Sequence, residues 1–183
     1  MAHMTRKVAV VSKLPQLQNL IKRDPESYKD EFMLQKSHFY SEMDIFRLRP
    51  TKNSNRFCEL VDFVSAVAPY YRSEMMQLPG ELLDLLETNA STLHPDVRAK
   101  LLSGLILLRN RGMLEPLRLI SFCMKLFLVN DKTLRLSLTS YITNDIKHIN
   151  TKKVSEKVNR GIQSLLHSIV SQTTDITAKK RVD

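Results

Sequence analysis

Residues 79–111 match residues 116–148 at an offset of 37 positions. Pro79 falls on Pro116, Leu82-Leu83 on Leu119-Ile120, and Leu85-Leu86 on Phe122-Cys123. Val97-Arg98 falls on Leu134-Arg135, Leu101 on Leu138 and Leu105 on Ile142. Each copy reads as two helices. Pro79 and Pro116 suit the first helical position, where a missing N–H costs nothing. The second helix of each copy follows His94-Pro95-Asp96 or Asn130-Asp131, which sets an acid near its positive end. Paired helices repeating at this period predict an all-α chain: an α-solenoid of antiparallel helix pairs, HEAT- or armadillo-like, with about eight helices. The alternative is an irregular helical bundle, since two Leu-rich hairpins also match by chance.

The rest of the sequence agrees. A chain of 183 residues can bury one core, so one domain is expected. Four glycines are too few for a Gly-rich phosphate cradle or an all-β fold with tight turns. No apolar run reaches the roughly 18 residues that span a membrane. The most apolar helix, 117–129, is short and carries Arg118 and Lys125, as a helix buried on most sides would. Cys58 and Cys123 sit on apolar stripes, where a thiol behaves as a small hydrophobe. Neither belongs to a CxxC, so a reducing compartment fits best, and no secretory signal is expected.

Residues 1–13 are expected to be a disordered tail or an expression remnant, and His3 counts for nothing. Leu14, Leu17, Leu20 and Ile21 line a short helix that stops at Lys22-Arg23. Asp24 then caps a helix with Pro25 at its first position, and Tyr28, Phe32, Phe39, Met43 and Phe46 keep the helical period to about Arg47. After a loop at 49–55, capped by Asn53 or Ser54, comes the cleanest stripe: Phe57, Leu60, Val61, Val64, Val67, Ala68 and Tyr71. Pro69 ends or bends that helix. Beyond the repeat, Val154, Val158, Ile162, Leu165, Leu166 and Ile169 predict another amphipathic helix, and 176–183 reads as the start of one more. A solenoid normally ends in a polar capping helix. The domain at 14–183 is therefore expected to be incomplete at its C-terminus, a fragment of a longer protein.

Catalytic and metal-binding patterns do not emerge. GxSxG, GxxxxGK[ST] and GxGxxG do not occur. His38 and Glu42 share a helix face but lack further ligands for zinc, and His94 before Pro95 reads as a helix-entry residue. Glu81, Asp84 and Glu87 fall at the intervals of a solvated face. The reading is therefore a non-enzyme with no cofactor, no metal and no small-molecule substrate.

What stands out is charge. The net charge of +9 and pI of about 9.7 point to an anionic partner: RNA, DNA, an acidic protein or a charged membrane surface. Arg47, Arg49, Lys52 and Arg56 surround one loop with no acid among them. Lys147, His148, Lys152, Lys153, Lys157 and Arg160 surround another, opposed only by Glu156. Arg109 and Arg111 end a helix, and Lys179, Lys180 and Arg181 lie near the end of the chain. Solenoid loops line up along edges, so such clusters would make a basic rim that grips phosphates with little sequence preference. The candidate RNA- or ribosome-binding residues are Arg47, Arg49, Lys52, Arg56, Lys147, Lys152, Lys153, Lys157 and Arg160. The plainer reading is helix-terminal cations that serve local dipoles and solubility.

The stretch Leu-Pro-Gln-Leu-Gln-Asn-Leu-Ile-Lys-Arg-Asp-Pro at 14–25 resembles the opening signature of the SDA family, named for severe depolymerisation of actin. The resemblance continues at Tyr28, Glu31-Phe32, Asp44-Ile45-Phe46-Arg47-Leu48, Leu60-Val61-Asp62-Phe63 and Leu82-Leu83-Asp84-Leu85-Leu86. It runs on through Leu107-Leu108-Arg109-Asn110, Lys132 with Leu134-Arg135, and Asp145-Ile146-Lys147-His148-Ile149-Asn150. It implies the helical N-terminal domain of a nucleolar and nuclear factor needed for maturation and export of the large ribosomal subunit. Its partners would be pre-ribosomal particles, meaning pre-rRNA and assembly-factor proteins, with no membrane and no homo-oligomer. The family name also reflects an actin link. It carries no catalytic residue onto this chain. The rival reading is a protein-only adaptor that holds a partner peptide or helix in a groove, without RNA contact.

Overall fold

The computed structural model describes residues 13–49, 54–127, 129, 131–151, 156, 160–165 and 167. All regular structure among them is helical: α1 (Leu14–Arg23), α2 (Lys29–Leu48), α3 (Asn55–Val67), α4 (Leu78–Asn89), α5 (Pro95–Asn110), α6 (Pro116–Leu126) and α7 (Lys132–Thr151). Helix α3 is the hub of the first part. Its expected stripe is buried from Phe57 to Tyr71, and Phe63 and Ser65 are buried as well. The reason is that α1, α2 and α5 all pack on it, leaving mainly the side that carries Glu59 and Asp62 open to water. Helices α4 and α5 form the adjacent hairpin.

Helix α2 meets α3 through Phe32, Phe39, Met43 and Phe46, all buried. Phe57 stacks on Phe46 with ring centroids 4.7 Å apart and on Phe39 at 6.0 Å. Such pairs add about 0.5–1.5 kcal/mol beyond the apolar area they bury. The entry to α2 keeps Asp24 as a capping acceptor but starts the α-helix at Lys29 instead of Pro25. Asp24 Oδ1 accepts from the Ser27 backbone N–H, and a short 3-10 turn at Glu26–Tyr28 leads in. Pro69 lies in the 3-10 turn Ala68–Tyr70 that ends α3, because its ring cannot continue the α-helical ladder. The connector that follows is strapped to α2. Tyr71 Oη donates to the Pro25 carbonyl at 2.7 Å, Lys36 Nζ donates to the Glu74 carbonyl at 2.8 Å, and Met75 is fully buried.

The 37-residue repeat is a repeat of burial. Every apolar pair it matches, from Leu82 with Leu119 to Leu105 with Ile142, has both members buried. Turn chemistry repeats too. His94 caps α5, its Nδ1 accepting from Asp96 N–H at 3.3 Å, and Asp131, which occupies the same repeat position, caps α7 by accepting from Leu134 N–H at 3.0 Å. Arg98 Nη1 donates to the carbonyls of Ala90 and Leu93, both at 2.8 Å, and Arg135 Nη1 donates to the Val129 carbonyl at 3.1 Å. In each copy an arginine of the second helix ties down the turn that precedes it. A guanidinium is suited to this because its planar fork serves several acceptors at once. Pro116 opens α6 at its first position, whereas Pro79 is the second residue of α4.

Two compact units, Met1–Leu114 and Glu115–Asp183, divide the chain between the two copies of the repeat. In the first unit α5 is closed off by Gly112, whose φ of 71° is the left-handed conformation glycine tolerates best. Gly112 N–H reaches the Arg109 carbonyl and Met113 N–H the Leu108 carbonyl, the bond that closes the turn past the end of α5. Within the second unit α6 packs on α7, and Ile162 packs against Ile120. Of the helix expected around 154–169, Ile162 is buried and Leu165 partly so, while Val154, Val158, Leu166 and Ile169 lie outside the described residues, as does 176–183.

Candidate macromolecular interface

Helix α2 ends because the chain reaches Pro50. A residue before proline is pushed out of the helical region, and Arg49 takes φ −145° and ψ 79° there. Helix α3 restarts with Ser54 at the N-cap position, its carbonyl accepting from Cys58 N–H. Arg47, Arg49 and Arg56 therefore gather at one corner of the first unit, and all three are exposed. Lys52, of the same expected cluster, lies outside the described residues.

The corner is less positive than the linear sequence implies. Arg47 Nη1 lies 3.4 Å from Asp44 Oδ1, one helical turn back. Arg56 Nε lies 3.4 Å from Glu42 Oε1, across from α3 to α2. Linear reading found no acid among these cations because both acids stand on the preceding turn of α2. The signal was present, since Asp44 precedes Arg47 by three. Both arginines are exposed, so each pair contributes about 0–1 kcal/mol. Arg49 has no salt bridge among the described residues.

In the second unit Lys147 is exposed on α7, and Arg160 Nη2 meets Glu156 Oε2 at 2.6 Å. Lys152, Lys153 and Lys157 lie outside the described residues. Arg111 ends α5, but there its carbonyl matters more than its charge. The Arg72 guanidinium grips the carbonyls of Arg111 at 2.7 Å and Gly112 at 3.4 Å.

Beside the arginine corner, α1, α2 and α3 enclose an open groove of about 490 Å³. Lys13, Leu14 and Gln18 form one wall, Gln35 and His38 the other, and Arg56, Glu59 and Asp62 stand on α3. His38 Nδ1 is 3.4 Å from Gln35 Oε1, and Asp62 is held by Lys100 Nζ at 2.6 Å. His38 and Glu42 share no ligand role: the first faces the groove and the second meets Arg56. No group of three or more His, Cys, Asp or Glu among the described residues could hold a metal ion. No helix among them is long and apolar enough to cross a membrane.

The two thiols differ. Cys123 is fully buried, and burial reinforced by Asp145 pushes its pKa up to about 12. Cys58 is half-buried at the edge of its stripe, its pKa raised by burial and then by Asp62.

The family model described as SDA1, HEAT repeat, matches residues 63–183. A protein SDA1 homolog of Dictyostelium discoideum is 42% identical over 166 residues, covering 91% of this chain and 22% of that protein. The homolog of Xenopus tropicalis is 39% identical over 170 residues, covering 93% and 25%. The sda1 protein of Schizosaccharomyces pombe is 31% identical over 186 residues, covering 96% and 26%. The chain thus spans about a quarter of the length of these relatives.

Proposed function

The chain belongs to the SDA1 family, and from that premise we propose that it is a non-catalytic helical-repeat scaffold of ribosome biogenesis, binding pre-ribosomal large-subunit particles during their maturation and export. Its working compartment is then the nucleolus and nucleus, and its partners are pre-rRNA and the proteins assembled on it. The observation that carries the reading is membership of a HEAT-repeat family, because stacked helical hairpins build extended surfaces suited to binding. The exposed cations Arg49 and Lys147 and the net charge of +9 support contact with an RNA-rich particle. Phosphate contacts through such residues position the scaffold, while shape and protein contacts select the particle.

A second reading is favoured by a specific observation. Arg47 and Arg56 are engaged by Asp44 and Glu42, which weakens the basic corner. The protein then acts as an adaptor for a peptide or helix, with RNA held by other parts of the assembly and any actin link following from its protein partners. Salt-dependent binding to pre-rRNA and to unrelated RNA separates the two. The wild type is compared with charge reversals at Arg47, Arg49, Lys52 and Arg56, and at Lys152, Lys153 and Lys157. Each lost phosphate contact should flatten the log–log salt slope by about one unit. Binding that falls in one reversal set places RNA on that rim. Absent binding, or equally weak binding by all three proteins, sinks the RNA-facing scaffold and leaves the adaptor.

A further inference from the structure

The positive charge of the chain is concentrated in its second unit. Residues 115–183 carry twelve Lys or Arg against six Asp or Glu, a net of +6 of the chain's +9. The sole acid on α7 is Asp145, which is buried and accepts from Tyr141 Oη at 3.1 Å. Asp131 is held at the start of α7 by Leu134 N–H, and Glu156 faces Arg160 at 2.6 Å. Helix α7 therefore exposes no carboxylate. What it does expose is regular. Thr133, Ser137, Ser140, Asn144 and Lys147 are all exposed and recur at alternating intervals of four and three. They fall within about 80° of one another around the helix axis and span about 21 Å. No hydrogen bond or ion pair holds their side chains among the described residues, whereas Thr139 beside them bonds back to the Arg135 carbonyl. Ser, Thr and Asn are poorer helix formers than the Ala, Glu or Lys of an ordinary solvated face. Packing does not require them. The matching positions of the first copy hold Asp96, Lys100, Ser103, Leu107 and Asn110, and Lys100 pairs there with Asp62. A local preference broken without a packing reason is what a functional surface shows.

The chemistry of the face selects its occupant. Short hydroxyl and amide groups with Lys147 at one end, exposed Lys132 at the other and no carboxylate between them are complementary to phosphates and sugar hydroxyls. A partner helix would need apolar anchors, and Leu136, 63% exposed, is the single large apolar side chain exposed on α7 among the described residues. Unpaired bases would need aromatic platforms, and Tyr141, the aromatic residue of α7, is buried. Double-helical RNA needs neither, because its wide, shallow minor groove presents 2′-hydroxyls and flanking phosphates to a polar surface. We propose that the exposed face of α7 contacts the backbone of double-helical RNA, with Lys132 and Lys147 on phosphates and Thr133, Ser137, Ser140 and Asn144 on phosphates and 2′-hydroxyls. The proposal rests on the RNA-contact reading and deepens it, moving the contact from the arginine corner to α7 and naming the kind of RNA.

The test uses the whole 183-residue chain and fluorescence anisotropy with a labelled RNA duplex of about 16 base pairs. A DNA duplex of the same sequence, one RNA strand alone and a polyglutamate peptide are the comparisons. The expected result is binding of the RNA duplex at least fivefold tighter than of any of the three. The combined variant Ser137→Ala, Ser140→Ala and Asn144→Ala should weaken duplex RNA at least fivefold while raising the melting temperature, because alanine favours the helix. A structural role alone would not lower binding and raise stability together. The variant removes no charge, so its log–log salt slope should match the wild type, whereas Lys147→Ala should flatten the slope by up to about one unit. Ser140→Glu should weaken binding at least tenfold, and Ser103→Glu, at the matching exposed position of α5, should leave it unchanged. Equal binding of the RNA and DNA duplexes, or tighter binding of the single strand, overturns the proposal. So does duplex-RNA binding that is untouched by both the alanine variant and Ser140→Glu, and in each of these cases the RNA-contact reading stands. Polyglutamate bound as tightly as duplex RNA and weakened by Ser140→Glu assigns the face to an acidic protein and likewise overturns it. A wild type that binds neither RNA sinks the proposal and the RNA-contact reading together.

Discussion

Replacing Gly104 by alanine probes the contact between α3 and α5 on which the first unit is built. A Cβ at Gly104 would stand 2.8 Å from Ser65 Oγ and 3.2 Å from Val61 Cγ1. Both side chains are fully buried, so neither moves freely. Two effects oppose one another. Alanine in a helix interior is favoured over glycine by about 1 kcal/mol, whereas overpacking a filled interface costs about 1–3 kcal/mol. The net expectation is a loss of about 1 kcal/mol. Ser65 supplies the control. Its Oγ is buried with no hydrogen-bond partner among the described residues, so Ser65→Ala should be neutral or stabilise by about 1 kcal/mol. It also removes the atom that the new Cβ meets first, leaving the 3.2 Å contact with Val61. In the Ser65→Ala background, Gly104→Ala should cost nothing or stabilise, a coupling of about 1 kcal/mol. Urea unfolding of the four proteins, with unchanged m values, measures this as a double-mutant cycle. Additivity within about 0.5 kcal/mol, or a stabilising Gly104→Ala in the wild-type background, would refute the close-approach argument.

Three other perturbations test different parts. Arg98→Met strands the carbonyls of Ala90 and Leu93 and should cost about 2–4 kcal/mol in urea unfolding, with Arg98→Lys recovering little. Arg135→Met, which loses the Val129 contact from a half-buried site, should cost less. Glu74 is held down to about 2 by hydrogen bonds, first from Ser73, and by Lys29. A lowered pKa makes its contribution to stability fully present above the ordinary carboxylate value of about 4.3 and lost as pH falls towards about 2. The stability gap between wild type and Glu74→Gln should therefore close over that window in unfolding curves taken across it. At pH 8 iodoacetamide should label Cys58 before Cys123, read by peptide mass spectrometry, because both thiols are raised but only Cys58 is reachable.

The periodic part of this fold was legible in the sequence because burial is what periodicity records. The stripe Phe57 to Tyr71, the two copies of the repeat and the helix entry at His94 all follow from spacing and capping chemistry. Phe63 and Ser65 were not anticipated as core, since a single stripe cannot announce that three helices converge on α3. The basic corner was legible in part. Arg47, Arg49 and Arg56 do gather, but Arg47 and Arg56 are offset by Asp44 and Glu42, which stand earlier on α2. The exposure of Leu34, Ile45 and Leu48 on α2 was hidden because they interleave with the buried stripe Phe32, Phe39, Met43 and Phe46. The second stripe separates only once the covered face is known. Arg72 gave no signal at all, as its partners are backbone carbonyls far away in sequence.

The most direct test of the scaffold account is sedimentation of the protein in nuclear extract on a density gradient, with RNA and protein crosslinks read from the heavy fractions. The account predicts that the protein travels with large-subunit precursors and crosslinks to pre-rRNA or to proteins bound there. A protein that stays with free proteins at the top of the gradient while those precursors sediment below it would contradict the account.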